Sequence, residues 1–239
     1  CWDTTYNVGY EVPTPPTGTG YTTLAAGTGV PGAYCALDAG GAISCWGEDS
    51  SPPILTNVPT GSGYTELALT GAYACALAAD GSIDCWGTTP DFFGVISGTP
   101  AGSGYSSIHA AETFTGSYTF CALTADGSID CWGLDGAAVV SNAPTGSGYT
   151  DVALTGDYAC ALAADGSIDC WGTPGAGNEF GQVANAPTGS GYTELALSGH
   201  FACALAADGS IDCWGDDSFG RVSDAPSGTG FTELAVSES

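Results

Sequence analysis

Tyr64 to Gly104 reads YTELALTGAYACALAADGSIDCWGTTPDFFGVISGTPAGSG, and this stretch decides the fold. Close copies begin at Tyr21, Tyr105, Tyr149 and Tyr192, and a shorter one begins at Phe231. The chain opens on CWDTTYNVGY, which matches the tail of a copy. The tryptophans of the Cys-Trp pair fall at 2, 46, 86, 132, 171 and 214, with spacings of 44, 40, 46, 39 and 43 residues, a mean of 42.4. Such a period, with several short strands per unit, predicts a β-propeller with one blade per repeat. A β-helix coil is much shorter, and a helical repeat needs apolar stripes of period 3.6 that this density of Gly, Thr and Ser does not supply.

Each unit reads as an alternating segment (Tyr64, Leu67, Leu69), a hairpin, an irregular outer segment and a Pro-Thr-Gly-Ser-Gly type connection. Asp80-Gly81 is the hairpin signal. A three-residue loop Ala79-Asp80-Gly81, with Gly81 left-handed, sets Leu77 opposite Ile83 and Cys75 opposite Cys85. A two-residue loop slips the register and separates the cysteines, so the cysteines select the turn. Cys75, Leu77, Ile83 and Cys85 then share one face, and Ala76, Asp84 and Trp86 the other.

The cysteines fall in pairs ten apart: Cys35/Cys45, Cys75/Cys85, Cys121/Cys131, Cys160/Cys170 and Cys203/Cys213. A disulfide within each hairpin is the simplest reading. Metal binding is the rival, but a single Cys-x9-Cys per repeat without His does not build a tetrahedral site. Disulfides imply an oxidising compartment, extracellular or at the cell surface. Cys1 is left over and unpaired; a lipoprotein anchor is the alternative use for it. Aligning Phe231–Ser239 with Tyr192–His200 leaves out Phe201 to Asp212, so the two ends read as parts of one blade without its central hairpin.

The 239 residues carry 26 acids, one base (Arg221) and a formal charge of −25. That excludes a nucleic-acid binder, which needs a basic patch, and disfavours docking on anionic lipid. Hydrophobic residues make up 44% and charged ones 11%, which is not a disordered acidic tail. No apolar run is long enough to span a membrane. There is no Met, which reads as a processed chain or a fragment.

The core CALAADGSIDCWG, followed by segments ending FGQV (Phe180–Val183) or FGRV (Phe219–Val222), resembles the regulator of chromosome condensation repeat family. It is most similar to the secreted bacterial form with Cys at both hairpin positions. The resemblance covers essentially the whole chain. It implies a propeller, commonly of seven blades, whereas this chain counts six Cys-Trp units. Ser50–Thr56 and Leu134–Val140 depart from the family's outer ending, and Gly40-Gly41 replaces Asp-Gly in the first complete repeat. The family includes exchange factors, chromatin binders and lactamase inhibitors; the charge of this chain opposes the chromatin role.

Other recurring residues have simpler readings than a site. Asp80, Asp126, Asp165 and Asp208 fit turn chemistry better than calcium ligation. The tryptophans fit packing between blades better than a carbohydrate ring. His109 and His200 sit at unrelated repeat positions with no catalytic partner motif. Glu66, Asp151, Glu194 and Glu233 share one strand position and read as solvated rim charges. Threonines and serines of the connections read as polar turns, with O-linked sugars as the alternative. The variable parts follow each Cys-Trp-Gly and offer Phe92, Phe93, Phe180 and Phe219 as a binding edge.

The expectation is a single all-β propeller domain over 1–239, of about six blades, or seven if the chain is a fragment. Complete repeats span 21–63, 64–104, 105–148, 149–191 and 192–230, and a split blade combines 1–20 with 231–239. No catalysis, cofactor or metal is expected. The functional expectation is a structural subunit of an extracellular assembly or filament, joined head to tail through the split blade. The alternative is a monomeric extracellular binding module, inhibitor or lectin-like, with a protein or glycan partner.

Overall fold

The computed structural model describes residues 15–27, 32–47, 52–113, 116–173 and 179–236. Cys1, Trp2 and most of the expected split blade's first part therefore lie outside the described residues.

Fifteen strands form five three-stranded sheets, each an antiparallel meander in chain order. The first holds β1 (Tyr21–Ala26), β2 (Ala33–Asp38) and β3 (Ile43–Gly47), followed by a helical turn, α1 (Pro52–Thr56). The second holds β4 (Tyr64–Leu69), β5 (Tyr73–Ala78) and β6 (Ile83–Gly87). The third holds β7 (Tyr105–Glu112), β8 (Tyr118–Thr124) and β9 (Ile129–Gly133). The fourth holds β10 (Tyr149–Leu154), β11 (Tyr158–Ala163) and β12 (Ile168–Gly172); the fifth holds β13 (Tyr192–Leu197), β14 (Phe201–Ala206) and β15 (Ile211–Gly215). First strands of successive sheets lie against one another, and third strands face outward, as in the blades of a propeller.

The hairpin has the expected register. Cys75 lies opposite Cys85 and Leu77 opposite Ile83, and the Gly81 amide donates to Ala78 O at 2.9 Å. All five expected pairs are bridged: Cys35 to Cys45, Cys75 to Cys85, Cys121 to Cys131, Cys160 to Cys170 and Cys203 to Cys213, with Cα atoms 4.0–4.1 Å apart. The shared face of Cys75, Leu77, Ile83 and Cys85 is as expected, but the two ends of each bridge differ in burial. The middle-strand cysteines Cys35, Cys75, Cys121, Cys160 and Cys203 are buried, whereas Cys45, Cys85, Cys131, Cys170 and Cys213 are only half-buried. The reason is topological: the second group lies on the third strand, which pairs on one side only and forms the outer edge of its sheet.

Gly81 is needed twice over. Its φ is +79°, and a Cβ there would stand 2.4 Å from the Gly104 nitrogen of the next connection. In the first blade Gly41 takes this place with φ +74°, and Asp38 supplies the turn carboxylate to the Gly40 and Ala42 amides.

A bulge in every first strand explains a spacing that a plain strand cannot. Tyr64 pairs with Ala78 and Glu66 with Leu77, so Thr65 is the extra residue. The bulge puts Tyr64 on the same face as Leu67 and Leu69 although they are three and five residues apart. The Thr65 hydroxyl donates to Leu77 O, and Thr150 and Thr193 do the same at their bulges.

Each core lies between two blades. One face of the first blade (Cys35, Leu37) packs with Ile54 against Leu67, Leu69, Ala76 and Trp86 of the second. The opposite face of the second blade (Cys75, Leu77, Ile83) packs against Ile108, Phe120, Ala122 and Trp132 of the third. The pattern repeats into the fourth and fifth blades. The tryptophans from Trp86 onward are thus buried between blades. Trp86, Trp171 and Trp214 also donate through Nε1 to Ile54, Val139 and Gln182 carbonyls at 2.7–2.9 Å. The outer segment after one blade is thereby tied to the third strand of the next. Trp132 is the exception: its Nε1 is buried without a partner, and Val95 O accepts from Thr99 Oγ1 instead.

Phe231–Val236 follows the first-strand path without strand pairing. Phe231 N donates to Gly209 O, as Tyr105 N does to Gly81 O. Leu234 N donates to Glu194, as Ile108 N does to Glu66.

Candidate binding surface

The outer segments replace a fourth strand by a short capped turn, because Pro, Gly and Asp there oppose extended pairing. Asp91 accepts from the Val95, Ile96 and Ser97 amides. Asp135 does so from Val140 and Ser141, and Asp217 from Val222 and Ser223. These bonds hold the Asp91 and Asp217 carboxyls below the usual range; at Asp91 burial opposes them. Left-handed residues close the turns at Gly94, Gly181 and Gly220, and at Ala138 with φ +54°.

The residue before that glycine is phenylalanine in three segments, with different fates. Phe93 turns inward and meets Tyr73 and Tyr118 edge-on, at 6.4 and 5.2 Å between ring centres. Its neighbour Phe92 is left 79% exposed. Phe180 is 41% exposed with its ring 6.0 Å from that of His200. Phe219 is 79% exposed and lies under Arg221, whose guanidinium is 4.9 Å from its ring centre and 5.9 Å from that of Phe201. Arg221 also approaches Asp216 at 3.5 Å. The chain's one basic side chain (Lys+Arg 1) is therefore engaged internally. Gln182, fully buried, accepts from the Phe180 amide and donates to Gly199 O, which fixes this segment against the fifth blade.

Acidic groups surround these rings. Burial raises the Asp157 carboxyl, Glu179 adds to the rise and His200 opposes it. Asp216 is lowered, chiefly by its bonds from Ser218, with Arg221 and His200 contributing. The outer segments after the fourth and fifth blades thus each offer an exposed phenyl ring, Phe180 and Phe219, with acidic groups nearby.

Most other acids are structural. Tyr64, Tyr105, Tyr149 and Tyr192 each reach across the middle strand and donate to Asp84, Asp130, Asp169 and Asp212, at 2.6 Å in all four blades. Asp80, Asp165 and Asp208 accept from the amide and hydroxyl of the serine two residues on, and Asp126 from Thr124 and the Ser128 amide. The rim reading of Glu66 and Glu194 changes: both accept an amide proton from the following blade. Asp151, one methylene shorter, bonds its own Val152 amide and lies 3.9 Å from His109. Among the described residues no group of three potential metal ligands occurs.

The Tyr–Asp pairs give a pH prediction. Burial, with the Asp partner second, pushes these four tyrosines up to about 12 from 10.0. A raised acid group stabilises the fold fully below pH 10 and loses that contribution between about pH 10 and 12. Absorbance titration at the phenolate band should show a late-ionising class in the native protein that merges with ordinary tyrosine in denaturant. A single native transition near pH 10 contradicts the pairing.

The fold and its repeated stapled hairpin define a disulfide-bridged β-propeller with irregular outer loops. Residues 192–221 match the family model of the regulator of chromosome condensation (RCC1) repeat, and the matched pattern recurs through the chain. No curated protein matches the chain. Among solved structures it is similar to the ectodomain of the Physcomitrella patens receptor kinase CR4, at 23% identity and TM-score 0.62 over 82% of this chain. The CRINKLY WD40 ectodomain of the Arabidopsis thaliana receptor kinase ACR4 gives 22% and 0.63 over 82%. Prp20p of Saccharomyces cerevisiae gives 16% and 0.55 over 81%. The chain spans 53%, 69% and 58% of those three chains.

Proposed function

We propose that the chain is a non-catalytic, extracellular protein-binding propeller that takes up a cationic polypeptide on its outer loops. The observation that carries this reading is a pair of exposed rings on successive outer segments, Phe180 next to Glu179 and Phe219 under Arg221, which pairs with Asp216, on a chain of net charge −25. Exposed aromatics on fixed loops are the usual anchors of a protein interface, and the acidic field selects and steers a basic partner. Five disulfides favour an oxidising compartment. The two plant ectodomains lend the fold an extracellular setting. The yeast neighbour was described with its binding to Gsp1p and histones, and histones are basic proteins.

The test is a fluorescence titration with Lys/Arg-rich peptides, with and without an aromatic residue. Saturable binding is expected, tighter for the aromatic peptides and weakened by salt. The double variant Phe180→Ser, Phe219→Ser should bind about tenfold more weakly or worse. Equal affinity for both peptide sets, unchanged in the double variant, would leave only charge attraction and overturn the reading.

Head-to-tail assembly is a second reading, favoured by a different observation. Leu24 is 57% exposed, whereas its equivalents Leu67, Ile108, Val152 and Leu195 are buried under the preceding blade. Repeat identity makes the outgoing face of any blade complementary to this surface, so a blade of a second copy fits it. Light scattering should then give a mass that rises with concentration, and Leu24→Asp should abolish the rise. A monomer at all concentrations removes this reading and leaves the first intact.

A further inference from the structure

The hydroxyl groups of the repeat fall into two populations. Within the blades they are bonded: Thr65, Thr150 and Thr193 donate to leucine carbonyls, Thr70, Thr155 and Ser198 to the carbonyl three residues on. In the connections they are not. The three identical Pro-Thr-Gly-Ser-Gly segments, 59–63, 144–148 and 187–191, present Thr60, Ser62, Thr145, Ser147, Thr188 and Ser190. All six are exposed, and none makes a hydrogen bond. The variants of this segment at 16–20, 100–104 and 226–230 keep at least one exposed hydroxyl each.

The frame that holds them is fixed. Gly63 N donates to Gly40 O of the previous hairpin turn, and Gly63 O accepts from Ala79 N of its own blade. Gly148 and Gly191 repeat both bonds, to Asp126 and Ala164 and to Asp165 and Ala207. Each of these three connections is thus clamped at its C-terminal glycine, which is left-handed at φ +88°, +92° and +91°. The preceding threonine and serine stand clear on a chain stiffened by proline and flanked by glycine. No charged side chain lies within the segments. Exposed threonine and serine beside proline share the composition of segments that carry O-linked glycans.

We propose that these connections are O-glycosylated, so that one edge of the propeller carries a repeating collar of short glycans. The acceptor oxygen is Oγ1 of threonine or Oγ of serine. It attacks the anomeric carbon of a sugar activated as a nucleotide diphosphate or lipid phosphate. The new C–O bond forms as the anomeric carbon–phosphate oxygen bond breaks, and the phosphate leaves with that electron pair. The hydroxyl proton passes to a base of the separate transferase. Nothing is oxidised or reduced. The glycans would lie beside the exposed hairpin-turn carboxylates such as Asp126 and Asp165, while the phenylalanine-bearing outer segments stay bare.

The experiment is intact-mass measurement of the protein isolated from its own source, before and after mild alkaline β-elimination. Fragmentation that preserves the sugar linkage then maps the sites. The expected native mass exceeds that of the disulfide-bonded chain by whole hexose or N-acetylhexosamine residues. The excess should map to 59–63, 144–148 and 187–191 and disappear on β-elimination. Expressed in the same source, Thr60→Ala with Ser62→Ala should lose the increments of that connection alone and bind the peptide probes unchanged. A native mass equal to the bare chain, phosphate increments, or sugars confined to blade hydroxyls such as Thr65 would each overturn the proposal. These outcomes do not bear on the peptide-binding reading, which is measured on the Phe180 and Phe219 variant.

Discussion

Refolding the chain from denaturant in thiol reductant is expected to give no cooperative thermal transition, whereas oxidised refolding restores one. Each bridge closes a hairpin with a sequence separation of 10. The chain-entropy account values such a loop at about 2–3 kcal/mol. Five bridges together are then of the same order as the roughly 5–15 kcal/mol by which a typical domain is stable. The blades depend on this contribution because their strands are short, at five to eight residues, and each sheet has only three. Replacing one pair, Cys75→Ala with Cys85→Ala, should lower stability by about 2–3 kcal/mol and leave the β-sheet signal intact. Cys75 sits in the core between the second and third blades and half-buried Cys85 packs against it, so the variant also reports packing there. A reduced chain that melts as cooperatively as the oxidised one would show that packing alone suffices.

Trp171→Ala should be the most damaging single substitution in the fourth blade, at about 3–5 kcal/mol. The indole fills the space between Cys121, Leu123, Val139 and Ala161, and its Nε1 donates to Val139 O at 2.8 Å. Two phenylalanine variants separate the ring from the bond. Trp171→Phe leaves a buried carbonyl unpaired and should cost about 1–3 kcal/mol beyond the lost volume. Trp132→Phe removes a buried donor that has no partner, so no hydrogen bond is lost. It should cost clearly less than Trp171→Phe in the same chemical denaturation series. Equal losses at both positions would mean that the indole–carbonyl tie contributes nothing to joining the blades.

The period, the hairpin register and the two-faced blade were legible because they rest on residues repeated at fixed offsets. The cysteines fixed the turn, and the turn fixed which side chains share a face. The unequal burial of Cys75 and Cys85 was not legible, because the register says which residues face each other and not which strand ends the sheet. The bulge was also present in the sequence, as the three-residue step from Tyr64 to Leu67, but an unbulged strand puts those residues on opposite faces. The roles of the acids were harder to see. Asp84 finds Tyr64 across an intervening strand, and Glu66 finds an amide of the next repeat, 42 residues away. Neither partner is adjacent in sequence, so a strand-position argument reads them as solvated. Phe93 is enclosed by Tyr73 of its own blade and Tyr118 of the next, whereas beside Phe219 the place of Tyr73 is taken by Phe201, with Arg221 over both Phe201 and Phe219.

The acidity that excludes nucleic acid therefore has two parts. Turn, strand-crossing and cap carboxylates are bound within the scaffold. Those around Phe180 and Phe219, of which Asp216 and Asp217 are also bonded within their own loop, add a field to exposed anchors. Function is assigned to the second group, and the most direct test is a hydrogen-exchange footprint of a saturating Lys/Arg- and aromatic-containing peptide on the native protein. Protection concentrated at 179–186 and 216–224 is the expected result. Protection confined to the first strands around Glu66, Asp151 and Glu194, or none at peptide saturation, would contradict the account.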